Sequence, residues 1–254
     1  PRADTAKLRM EIDALLRAGQ HAASDEGRAR WYVARVENEL AHAELAEGAT
    51  RGLHLRALRA AHHPALTGPD APSAYLLCWL RIVLAEIAYV RGEAVAARFV
   101  EAMAIMRRLG ATGPGDPDIA HARARLLRRR ATHATGNARL SMLRDALQGL
   151  MPFADREGLP ALQLEIAELM LEQAVASPLE QGSTQLARVI DVATPLLDVA
   201  EQAIPALCCI IQAQLASGGQ ANEELCERLC AMAPHDPRAC AVLARAALRD
   251  GKPE

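Results

Sequence analysis

A helix–glycine–helix pattern recurs along the chain and constrains its fold more than any other feature. The segments are ELAEGAT, AYVRGEA, THATGNA, LEQGSTQ, LASGGQA and LRDGK, with the glycines at Gly48, Gly92, Gly136, Gly182, Gly218 and Gly251. The first three glycines are 44 residues apart, and the last two intervals are shorter. Because glycine adopts the left-handed conformation that ends a helix, each position predicts a turn between two antiparallel helices.

Longer breaks that contain proline separate these helical hairpins, at 62–73, 110–118, 151–160 and 234–237. Proline cannot continue a helix and disfavours helix in the residue before it. We therefore predict a leading helix, five hairpins and a terminal helix. Their ranges are 1–20 for the leading helix, 27–61, 73–109, 117–150, 159–202 and 203–233 for the hairpins, and 237–249 for the terminal helix.

Composition supports a chain that is helical nearly throughout. Aromatic residues make up only 3% of the 254 residues, and no stretch alternates with the period of a strand. The prediction is an all-α fold in which 1–254 form a single helical-repeat domain.

Residues 84–110 resemble a tetratricopeptide repeat. Leu84, Ala85 and Ala88 match the packing positions of the first helix of such a repeat, and Gly92 matches its turn. The resemblance implies antiparallel helix hairpins stacked into a right-handed α-solenoid, the TPR-like superhelix, with a concave groove lined by the first helix of each hairpin.

Two further segments extend the resemblance. Residues 234–237 (PHDP) are similar to the junction between repeats, and Leu243, Ala244 and Ala247 follow it in register. The phrase RRLG at 107–110 ends a repeat longer than usual and resembles helical-repeat segments of large bacterial transcription activators.

The family's groove positions imply a set of residues that bind a partner. They are Arg35, Asn38, His42, Trp79, Ile82, Glu86, Tyr89, Arg123, Arg130 and His133. Rigid aromatics beside arginines are typical of binding hot spots, which favours Trp79 and Tyr89. The alternative is that both aromatics fill gaps between helices, since large aromatics also dominate core burial.

Cysteine and arginine are each concentrated in one segment. Five of the six cysteines lie between 208 and 240, but none of their spacings is Cys-x-x-Cys, so core packing is favoured over a metal site and no metal is expected. Five arginines between 123 and 130 point around most of a helix, which favours an exposed helix paired with acidic neighbours over nucleic-acid binding.

The remaining patterns argue against catalysis. The chain has no Gly-rich phosphate loop, no His-Glu-x-x-His and no Gly-x-Ser-x-Gly, so no catalytic residue and no cofactor is predicted. The net charge of −2 with mixed signs does not favour nucleic acid or a membrane as partner, and a cytoplasmic location is expected.

We expect a non-catalytic module that binds a protein or peptide partner in its concave groove, as a scaffold or regulatory adaptor in bacteria. The alternatives are an effector-sensing segment of a bacterial transcription regulator, which would bind a small effector, and an enzyme on an α-solenoid. The turn at Gly251 lacks a following helix. An uncapped repeat end exposes apolar surface, so we expect truncation, a following domain or self-association through the C-terminal end.

Overall fold

The computed structural model describes residues 31, 33–36, 38–40, 48–60, 71, 73–89, 93–112, 115–177 and 179–249. All regular secondary structure in these ranges is helical, which confirms the predicted all-α class. The predicted leading helix at 1–20 lies outside them, as do His42 and the side chain of Tyr89.

Residues 31, 33–36 and 38–40 are helical. The helices whose bounds the structure gives are α1 (Gly48–Ala60), α2 (Ser73–Tyr89), α3 (Glu93–Thr112), α4 (Pro117–Ala131), α5 (Gly136–Leu150), α6 (Pro160–Ala176), α7 (Leu179–Ala193), α8 (Ala203–Ala216), α9 (Glu223–Met232) and α10 (Pro237–Arg249). Short 3-10 turns at Met151–Phe153 and Thr194–Asp198 follow α5 and α7. The chain divides into two compact units, unit 1 (Pro1–Pro114) and unit 2 (Gly115–Glu254).

Two helices of unit 2 begin with the same Asp-Pro signal. Asp116 accepts hydrogen bonds from the backbone N–H groups of Asp118 and Ile119, and Pro117 starts α4. Asp236 accepts in the same way from Arg238 and Ala239 at the start of α10. An aspartate at this position satisfies N–H groups that have no partner within the helix, and proline fits the first turn because it has no N–H.

The glycines predicted to form turns do not all do so. Gly136 and Gly218 have φ values of 55° and 88°, the left-handed conformation that the pattern predicts. Gly182, in contrast, lies inside α7, which begins at Leu179, three residues after α6 ends at Ala176. Pro178 explains the shift, because the residue before a proline disfavours helix.

Gly182 has a packing role instead. It is buried, and a Cβ atom built on it would lie 3.0 Å from the backbone oxygen of Ala174 on α6. The missing side chain therefore allows α6 and α7 to approach closely. At the other end of α7, Pro195 interrupts the helix before the predicted end at 202, because it supplies no N–H.

The core of unit 2 is a row of apolar clusters, each shared by three consecutive helices. Leu143, Leu150 and Leu169 represent the cluster between α4, α5 and α6. The next cluster lies between α6, α7 and α8, and the last lies between α8, α9 and α10. Since α6 and α8 each belong to two clusters, their buried surfaces are broad, which matches the apolar sequences of these two helices.

In unit 1, α2 packs against both α1 and α3. Its sequence, SAYLLCWLRIVLAEIAY, is apolar on most sides, and Leu80, Ile82 and Val83 have no exposed surface. A helix that is apolar all round is one that is covered by neighbours, so α2 is the central helix among those described in unit 1.

Candidate functional site

Buried ionic residues form one cluster in each unit, and these clusters are the polar features that stand out from the apolar interior. We call the first the unit-2 ion cluster; its members are His121, Arg128, Glu165, Glu168, Glu172 and Arg238. The second, the unit-1 ion cluster, consists of Arg59, Trp79, Glu86, Arg98 and Glu101.

The unit-2 ion cluster is centred on three glutamates of α6. Glu165, Glu168 and Glu172 follow the three- and four-residue spacing that places side chains on one face of a helix. Glu165 and Glu168 are both buried, at 7% exposed each. Buried carboxylates are costly unless they are paired, so this face requires cations from neighbouring helices.

Arg128 of α4 supplies most of the compensating charge. Its Nε donates to Glu172 Oε1 at 2.6 Å, and its Nη1 donates to Glu165 Oε1 at 3.2 Å and to Glu168. Burial alone would lower the pKa of Arg128, but the three glutamates outweigh it and raise the pKa above its ordinary value. The guanidinium is therefore firmly charged.

Two further groups complete the cluster from α4 and α10. His121 Nε2 lies 3.7 Å from Glu165 Oε2, and Arg238 donates to Glu168. Burial raises the pKa of Glu165, but the nearby His121 imidazole and the charge of Arg128 outweigh burial and hold it below its ordinary value of 4.5. Glu165 is thus stabilised in its charged form.

Arg125 and Arg129 add positive charge beside this cluster. Both are exposed on α4, and no ion pair for either occurs among the residues that the structure describes. The pKa of Arg129 is lowered by desolvation of the covered part of its side chain and by the neighbouring charges of Arg125 and Arg128. An excess of guanidinium groups therefore borders the three glutamates.

The unit-1 ion cluster joins α1, α2 and α3. Arg59 of α1 donates from Nη1 to Glu86 Oε2 at 2.6 Å and from Nη2 to Glu101 Oε2 at 2.7 Å. Arg98 Nε lies 2.8 Å from Glu86 Oε2, and Trp79 Nε1 donates to Glu101 Oε1 at 3.0 Å. Burial raises the pKa of Glu86, and the charges of Arg59 and Arg98 oppose that rise.

The structure places the predicted partner-binding residues in different surroundings. Trp79 (6% exposed), Ile82 and Glu86 are buried in unit 1, and the polar contacts of Trp79 and Glu86 run to α1 and α3. Trp79 therefore fills a gap between helices, as the second interpretation of this residue predicted, rather than lying exposed as a binding hot spot. Ile82 has no exposed surface and Glu86 is 6% exposed, and partner binding at these two positions stays a prediction.

The other predicted positions are more accessible. Arg35 is half-buried and lies 5.4 Å from the centre of the Trp31 ring, and Asn38 is half-buried as well. Arg123 and His133 are exposed, and Arg130 is half-buried. On an ideal helix of 3.6 residues per turn, Arg123 points about 140° away from Arg128, so it does not share a face with the unit-2 ion cluster. Partner binding at these positions stays a prediction.

The cysteines of unit 2 range from fully buried to exposed, with Cys226 half-buried. Cys208 and Cys209 are fully buried on α8, and burial raises the pKa of Cys208 and raises that of Cys209 to about 12. Such thiols are poor nucleophiles, because the thiolate is the reactive form. Cys230 on α9 and Cys240 on α10 are exposed. The prediction that the cysteines pack in the core is therefore wrong for these two.

Sequence reasoning did not find the glutamates of α6 or Arg238. The signal was present as Glu165, Glu168 and Glu172 at helical spacing in an otherwise apolar helix. The arginine partners could not be predicted from helical spacing, because Arg128 and Arg238 lie 40 and 70 residues from Glu168 along the chain.

In comparisons with known proteins, no family model, no curated protein and no solved structure matches this chain. Within the described residues, no three or more His, Cys, Asp or Glu side chains are grouped so that they could hold a metal ion. No helix among those residues combines the length and apolar character needed to cross a membrane.

Proposed function

We propose that the chain is a non-catalytic, TPR-like helical-repeat module that binds a protein or peptide partner. The observation that carries the proposal is the order of helix contacts in unit 2. There α4, α6, α8 and α10 contact one another in series, and α5, α7 and α9 each contact the helices before and after them. A right-handed α-solenoid has this order of contacts, and its first helices line a continuous concave surface.

We call the surface formed by α4, α6, α8 and α10 the first-helix face. Its polar side chains include the unit-2 ion cluster, in which Arg128 and Glu172 are about one-quarter exposed and Arg238 is about half exposed. Arg125 and Arg129 extend the face with further positive charge. Arg128, Glu172 and Arg238 are held in place by ion pairs and so lose little conformational freedom on binding, which favours recognition of a partner with charged side chains.

The environment of the buried groups also supports binding over chemistry. In the unit-2 ion cluster each glutamate is paired with an arginine, and the neighbouring thiols have raised pKa values. A nucleophilic thiol needs a pKa low enough to form the thiolate, and the raised pKa values of Cys208 and Cys209 instead favour the protonated thiol.

Affinity capture with matched charge variants tests the proposal. The immobilised full chain, the Arg125→Ser/Arg129→Ser variant and an Arg144→Ser/Arg188→Ser control are incubated with extract from the native source. The control removes the same charge from exposed positions of α5 and α7, outside the first-helix face. We expect the wild-type chain and the control to retain one or more proteins that the Arg125/Arg129 variant loses.

A third variant, Arg123→Ser/His133→Ser, tests the positions that the family resemblance implies. If only this variant loses the partner, the binding surface lies on the other side of α4. Equal capture by all four proteins would contradict a role for either surface. Recovery of a small molecule alone, with a rise in melting temperature on its addition, would contradict the scaffold function and support an effector-sensing one.

A further inference from the structure

One ion pair of unit 2 connects helices that are far apart in the order of the hairpins. Arg238, in the first turn of α10, donates to Glu168 in the middle of α6, although 70 residues separate them. Between these two helices in the series lies α8, which contacts both. In a helical repeat each unit normally contacts only its neighbours, so this pair adds a longer-range restraint.

The two ends of this pair differ in how firmly they are held. Glu168 is buried and is also bound by Arg128, which fixes its position on α6. The side chain of Arg238 is 47% exposed, and Glu168 is its one ion-pair partner among the described residues. Water and salt therefore reach the α10 end of the pair more easily than the α6 end.

Cys208 is on α8, the helix that contacts both α6 and α10. The charges of Arg238 and Glu168 both act on its thiol, after the larger effect of burial, and the residue has no exposed surface. Cys208 belongs to the apolar cluster shared by α8, α9 and α10, whereas Cys209 belongs to the cluster shared by α6, α7 and α8. Movement of α10 would therefore uncover Cys208 before Cys209.

We propose that the Arg238–Glu168 ion pair is a salt-sensitive clasp that holds α10 against α6 and α8 and closes unit 2 over Cys208. Release of the clasp lets α10 move away from α8 while α6, α7 and α8 stay packed. This device sets how far the C-terminal end of the first-helix face opens, and it does not depend on the identity of any partner.

Alkylation of the native cysteines tests the clasp in the full chain. Rates at each cysteine are followed by peptide mass spectrometry for the wild type, Arg238→Met and Arg245→Met, in low and high salt. Arg245 is a matched control, because it is an exposed arginine two turns later on the same side of α10.

At low salt, we expect Arg238→Met to raise the rate at Cys208 about tenfold, the change that corresponds to a loss of about 1.4 kcal/mol. The Arg245→Met variant should label like the wild type. High salt should raise the wild-type rate at Cys208 and leave the Arg238→Met rate unchanged, because the variant has no pair to screen.

Three results would overturn the clasp. One is an unchanged Cys208 rate in Arg238→Met at low salt. Another is an equal rise at Cys208 and Cys209, which would mean that unit 2 opens as a whole. The third is a wild-type rate at Cys208 that does not respond to salt. Because this comparison uses only the wild-type chain, it remains decisive even if Arg238→Met folds poorly.

Discussion

The guanidinium carbon of Arg59 lies 5.0 Å from the centre of the Trp79 ring. Both residues also bind Glu101, Arg59 through Nη2 and Trp79 through Nε1. The indole ring therefore packs against the cation that its own hydrogen-bond acceptor neutralises. A tryptophan held in this way contributes buried area, a hydrogen bond and a cation–π contact to the same site.

Trp79→Ala should destabilise unit 1 by about 3 kcal/mol, because it removes a large buried side chain and leaves Glu101 without one of its donors. The measurement is urea denaturation followed by circular dichroism. Val100→Ala on the exposed side of α3 is the control and should change stability by less than about 0.5 kcal/mol. Retention of wild-type stability in Trp79→Ala would contradict the interior position of Trp79.

Arg128→Met should destabilise unit 2 by about 3 kcal/mol, because three glutamates of α6 then lose their shared cation. Arg123→Met removes the same charge from an exposed position of the same helix and should have little effect. Hydrogen exchange of the α4 and α6 amides locates the loss. Equal effects of the two substitutions would show that the ion cluster contributes nothing beyond net charge.

Glu165 and Glu86 should give opposite pH dependences. Because the folded-state pKa of Glu165 is below 4.5, the unfolded state binds more protons, and the stability from Glu165 is lost as pH falls below 4.5. The folded-state pKa of Glu86 is raised above 4.5, so the folded state binds more protons and stability falls as pH rises from 4.5 through that pKa.

Denaturation midpoints between about pH 3 and pH 7 test both signs, since this range spans the ordinary carboxyl pKa. Relative to Glu165→Gln, the wild type should lose stability toward acid; relative to Glu86→Gln, it should lose stability toward neutral pH. Differences that do not change with pH would contradict the two ionisation assignments.

Gly182→Ala should destabilise unit 2 by about 1–2 kcal/mol, because the added Cβ lies 3.0 Å from the Ala174 oxygen and forces α6 and α7 apart. Gly149→Ala is a matched control in α5, where a Cβ meets nothing within 4 Å. There alanine should stabilise by about 0.5–1 kcal/mol, because it favours helix. Thermal denaturation of both variants measures the contrast, and stabilisation by both substitutions would refute the close approach.

The sequence by itself determined the helices. Apolar periodicity, the Asp-Pro signals at 116–117 and 236–237, and glycines such as Gly136 act within a few residues, so they can be read without knowing the fold. The turn assigned to Gly182 was wrong for a local reason as well, since Pro178 carried the stronger signal.

Only the tertiary structure decided which side chains meet. It buried Trp79 and Glu86 against α1 and α3, and it brought Arg128 and Arg238 to Glu168 from 40 and 70 residues away. The physical reason is that a buried charge takes its partner from whichever helix packs beside it, and helix neighbours depend on packing between elements rather than on any local pattern.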